Sequence, residues 1–84
     1  MPEICRFYGI IIKMYFLGNE HNPPHIHAIY NKEIAVIDIK TLKVIDGKIP
    51  KRALKLVEEW IKIHKEEINE IWESQNFKKI KPLK

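Results

Sequence analysis

The spacing of apolar residues changes half-way along the chain. Before about residue 46 they come in short runs or alternate with polar positions: "ICRF" and "IIIKMYF" around Gly9, then "HIHAIY", "EIAVIDI" and "LKVI". These runs are rich in β-branched and aromatic residues and bounded by turn formers, which predicts strands. Asn31-Lys32 joins two of them as a tight hairpin, and a further turn is expected at Asp46-Gly47. After Pro50, which suits a first helical turn, Leu54, Val57, Ile61, His64, Ile68 and Ile71 recur at spacings of three and four. Ala53, Leu56, Trp60 and Trp72 widen that stripe, and charged residues fall mostly on the other side. The pattern predicts one α+β domain spanning residues 1–84. Its parts are a sheet of four to five mostly antiparallel strands within about 3–46, one long amphipathic helix over about 50–75 packed on one face, and a basic tail at 76–84. At 1.5 Å per residue the helix would be roughly 37 Å long, with a bend expected between His64 and Glu67.

Composition narrows the class. An apolar share of 45% with 31% charged residues suits a globular chain and argues against wholesale disorder. The single cysteine, Cys5, excludes an internal disulfide and a multi-cysteine zinc site, and reads as a small buried hydrophobe. No run resembles a signal peptide or a membrane-spanning helix, so a soluble cytoplasmic protein is expected. The net charge is +4, yet its location matters. Residues 1–50 carry six Lys/Arg against five Asp/Glu, residues 51–75 carry five against six, and "NFKKIKPLK" holds four lysines and no acid. The excess sits in the tail and does not make a basic domain.

Three of the four histidines stand in one stretch, "HNPPHIHAIY". On a strand His25 and His27 point to one face with Ile29, while Ile26, Ala28 and Tyr30 point to the other. Pro23 and Pro24 stiffen the entry, and His21 lies on the preceding loop. Three readings follow. His21, His25 and His27 could chelate zinc or nickel, although a further ligand such as Asp38, Glu33 or His64 would have to arrive by folding. His25 and His27 could divide general-base and general-acid work in cleaving a phosphodiester, with Arg6, Lys13, Tyr15 or Tyr30 near the phosphate. Or both rings are hydrogen-bonded structural groups. His64, Trp60 and Trp72, within the helical stripe, are expected in the core.

Lys48, Lys51, Arg52 and Lys55 cluster at the helix start, while Glu66, Glu67, Glu70 and Glu73 fill its second half. In one continuous helix both placements oppose the dipole, at roughly 0.3–1 kcal/mol each. A solvated charged face explains this, and so does an anion site built on Arg6, Lys51 and Arg52.

The segments "MPEICRFYGIII", "NPPHIHA", "DGKIPKRALKLVEEWIKIHKEEINEIW" and "IKPL" resemble a family of small bacterial and archaeal proteins, domain-of-unknown-function family 4160. The resemblance spans nearly the whole chain. It places the family's hallmark on Pro24, His25 and His27, and its helical signature on Pro50, Trp60, His64 and Trp72. It implies a prokaryotic cytoplasmic protein working with a small cognate protein encoded nearby, in the manner of a toxin–antitoxin pair. Joined to the His pair, it suggests the toxin half acting on RNA as a metal-independent ribonuclease that needs no cofactor. The alternative is a non-enzymatic metal-binding or protein-interaction module centred on the His-x-His strand. A homo-oligomer is compatible with either, and no membrane partner is expected.

Overall fold

In the computed structural model, residues 3–14, 24–74 and 76–83 are described. Five antiparallel strands form one meander in chain order: β1 (Glu3–Phe7), β2 (Ile10–Lys13), β3 (His25–Tyr30), β4 (Glu33–Asp38) and β5 (Val44–Gly47). Two helices follow, α1 (Lys51–Ile63) and α2 (Lys65–Ser74). The α+β class and the antiparallel sheet agree with the sequence pattern.

Two-residue loops set the register of both hairpins. Tyr8 and Gly9 take φ of 49° and 79°, the left-handed pair that matches strand twist, and Asn31 takes 55° beside Lys32. Cys5 and Phe7 then lie opposite Ile12 and Ile10, Ala28 opposite Ala35, and Ile26 opposite Ile37. All eight are buried, so this face is the core face. It receives α1 through Ala53, Val57, Trp60 and Ile61, and the Phe7 and Trp60 rings stand 5.7 Å apart. Burying so many large apolar side chains, at about 25 cal/mol per Å² removed from water, is the main favourable contribution to stability.

The helical half departs from expectation. One long helix is replaced by two, broken at His64, which takes φ −110° and ψ 23°. The bend expected between His64 and Glu67 is a full helix break at its N-terminal edge. The longest Cα extent of the protein is 31 Å, shorter than the roughly 37 Å of a straight 25-residue helix. Breaking the helix lets Ile68 and Ile71 return to the core, where both are buried. His64 Nδ1–H donates to Glu67 Oε1 at 2.7 Å across the break, and the His64 ring lies 5.6 Å from Trp60. The break also changes the charge reading. Glu66 and Glu67 occupy the first turn of α2, where carboxylates favour the dipole instead of opposing it.

Two smaller departures concern the ends of the sheet. Asp46-Gly47 does not form the expected turn but closes β5, with Gly47 paired to Ala35. Gly47 has φ 71°, and a Cβ there would lie 2.0 Å from the Ile34 carbonyl oxygen, so glycine is required. The expected basic tail docks on β1. Ile80 N–H donates to Ile4 O at 2.8 Å, Ile80 is buried, and Trp60 Nε1–H donates to Lys81 O at 2.9 Å. Lys78 and Lys79 remain exposed beside Glu70 and Glu3, where such pairs contribute little. Cys5 is buried, and burial pushes its thiol pKa up, as suits a hydrophobic filler.

Candidate functional site around His25 and His27

Strand alternation puts His25 and His27 on the sheet face opposite the core, as the sequence predicts. On that face the register builds two rows across the strands. One runs Arg6, Ile11, Ile29, Ile34, and Lys48 N–H donates to Ile34 O at 3.1 Å at its far end. The other runs Lys13, His27, Val36, Asp46. His27 therefore stands between Lys13 and Val36, next to a ladder of three isoleucines. Ile34 is 49% exposed, and Ile11, Ile29 and Val36 are half-buried.

The two imidazoles are close. Their ring centroids lie 5.4 Å apart in an edge-on arrangement. His25 is only 6% exposed, and its ring stands 5.2 Å from that of Trp72 on α2. The helix break at His64 thus has a consequence at the site, because it brings Trp72 against the start of β3. His27 is half-buried, and burial, reinforced by the neighbouring His25, lowers its pKa to about 4. It is neutral at pH 7. In that form one ring nitrogen carries a hydrogen and the other can accept a proton or a metal, the state a general base needs.

The other candidates divide. Arg6 shares the His27 face, but its Nε–H and Nη2–H donate to the two Glu3 carboxylate oxygens at 3.2 and 2.9 Å. That fork holds the Glu3 carboxyl below the usual range and pushes Arg6 up. Lys51 and Arg52 are exposed at the start of α1, and Arg52 shares a groove on the core face with Tyr30, at the opposite end of β3 from His25. At about 3.3 Å per residue Tyr30 lies roughly 16 Å along the strand from His25. The fold therefore does not bring Lys51 and Arg52 to the His pair. His21 and Tyr15 lie outside the described residues.

Metal ligation gains no third donor among the described residues. Among the described residues no three His, Cys, Asp or Glu side chains converge. Asp38 lies opposite His25, but its Oδ1 accepts the Lys40 and Thr41 N–H groups at 2.7 and 3.1 Å, which shapes the turn after β4. Glu33 pairs with Tyr30 at the far end of β3, and His64 is bonded to Glu67.

A family model described as Domain of unknown function (DUF4160) matches residues 9–73. The chain belongs to this family. No curated protein and no solved structure matches it. The DUF4160 match takes in β2 to β5, α1 and nearly all of α2, so the His pair, the isoleucine ladder and Trp72 lie within the family's domain. Sequence reading found the His pair by its spacing. Trp72 as the cover of His25 is not visible in the spacing, because the contact joins residues far apart in the chain.

Proposed function

We propose that this DUF4160 chain is a protein-interaction module. The sheet face that bears His27 and the Ile11–Ile29–Ile34 ladder docks the small cognate protein encoded nearby. The observation that carries this is Ile34, a branched apolar side chain 49% exposed at the end of an apolar ladder. Lone exposed apolar residues are ordinary, but Ile34 continues a row of half-buried isoleucines and so extends an apolar contact strip for a partner. Arg6, Lys13, Glu3 and Asp46 border the row with both signs of charge, which suits a protein partner with matching charges better than a polyanion. Co-purification of the two proteins, and its loss on Ile34→Glu with the fold intact, tests the reading.

The toxin reading, in which His25 and His27 cut RNA without metal, keeps one supporting observation. Lys13 stands directly opposite His27, a cation beside a neutral imidazole that could act as base. Expression in a bacterial host should then slow growth, and His27→Ala should relieve it. Normal growth at high expression with intact RNA rejects ribonuclease action and leaves the interaction module standing. Zinc or nickel at His21, His25 and His27 rests on two neighbouring imidazoles alone. Calorimetry on tag-free protein should show affinity no better than about millimolar without further ligands.

A further inference from the structure

We propose that a groove at the other end of the molecule binds a nucleotide, with the base against Tyr8 and Tyr30 and the phosphate on Arg52. The groove encloses about 430 Å³ where the β1–β2 turn meets the start of α1. That volume lies within the range of small-ligand sites. Its floor is apolar, formed by Ile10, Ala53 and Leu56, and its rim carries the two phenols and one guanidinium. No carboxylate lines it, which fixes the sign of a charged ligand as negative.

The rings narrow the ligand further. Tyr8 is 57% exposed although its backbone is held left-handed at φ 49°, and its ring leans edge-on against Phe7 at 6.3 Å. The turn thus presents a large aromatic surface to solvent, on which a ligand ring can stack. Inorganic phosphate would use Arg52 and leave both phenols idle. An aromatic base bearing a phosphate uses all three. The start of α1 is compatible with this, since its first turn holds no acid and no side chain caps it. The groove lies on the core side of the sheet, away from the His27 face, so the inference does not depend on the interaction reading.

Adenosine 5′-monophosphate, adenosine, inorganic phosphate and a 5′-phosphorylated oligoribonucleotide can each be titrated into isotope-labelled full chain, followed by amide chemical shifts. The monophosphate should shift Gly9, Asn31 and Arg52 and bind more tightly than adenosine or phosphate. Arg52→Gln should weaken the monophosphate about tenfold and leave adenosine unchanged. Tyr8→Leu should weaken both by about tenfold. Tyr8 and Arg52 are exposed, so thermal melting should confirm that both variants fold. An oligonucleotide binding more tightly than the monophosphate identifies an RNA end as the source, and equal binding identifies the free nucleotide. Phosphate matching the monophosphate, shifts that avoid the groove, or variants that bind like wild type overturn the proposal.

Discussion

The His25 imidazole and the Trp72 indole stand 5.2 Å apart, inclined at 58°. This contact ties the start of β3 to the second helix and closes one end of the His pair. Trp72 is half-buried, whereas Trp60 is fully buried and donates its indole N–H to Lys81 O. Trp60→Ala should therefore destabilise by about 3–5 kcal/mol. Trp72→Ala should cost less, about 1.5–3 kcal/mol from the area it buries, and should also increase solvent access to His25. Urea unfolding of both variants, with His25 imidazole resonances followed by NMR, checks the order.

Stability should fall on acidification through His27. Its folded pKa of about 4 lies below the ordinary value of 6.5. Above about pH 6.5 the ring is neutral in both states and its contribution is whole. Between about 6.5 and 4 the unfolded chain takes up a proton that the folded chain does not, so stability drops with pH across that window. The loss should come to on the order of 1–2 kcal/mol, below the ~3.4 kcal/mol that the full separation of 6.5 and 4 would give at ~1.4 kcal/mol per pH unit, because the ring keeps some solvent contact. Comparing wild type with His27→Asn from pH 7 to 4 isolates it. Equal slopes in the two proteins would contradict the assignment.

Gly47→Ala tests the closure of β5. The left-handed backbone alone costs an alanine roughly 1–2 kcal/mol, and the added Cβ would collide with the Ile34 carbonyl. Gly9→Ala shares the positive φ, but its Cβ would meet only Tyr30 Cε1 at 3.5 Å, an ordinary contact. Thermal denaturation should rank Gly47→Ala as the more damaging change.

Much of this fold is legible in the chain, and the illegible parts share one cause. Strand runs, the Asn31-Lys32 loop and the common face of His25 and His27 follow from alternation and turn chemistry, which act over a few residues. The break at His64 does not follow, because the three-and-four spacing runs unbroken from Leu54 to Ile71. Good helix formers occupy both sides of the break. The cause is tertiary: beyond the break Ile68 and Ile71 are buried in the same core as α1. The docking of Ile80 was equally hidden, since four lysines dominate its neighbourhood and a single buried isoleucine carries the contact. Lys13 opposite His27 needs the register of the β2–β3 pair, and composition cannot supply it.

The face bearing His27 and the isoleucine ladder is proposed as a docking surface. Isothermal titration of the chain with the proposed partner, a small protein encoded nearby, compares wild type with Ile34→Glu and tests this most directly. Ile34 is half-exposed, so the variant should melt within a few degrees of wild type, as surface changes usually shift stability by under about 0.5 kcal/mol. The account predicts a complex with wild type that Ile34→Glu weakens at least tenfold, about 1.4 kcal/mol. No complex with wild type, or equal affinity for both proteins, would contradict it.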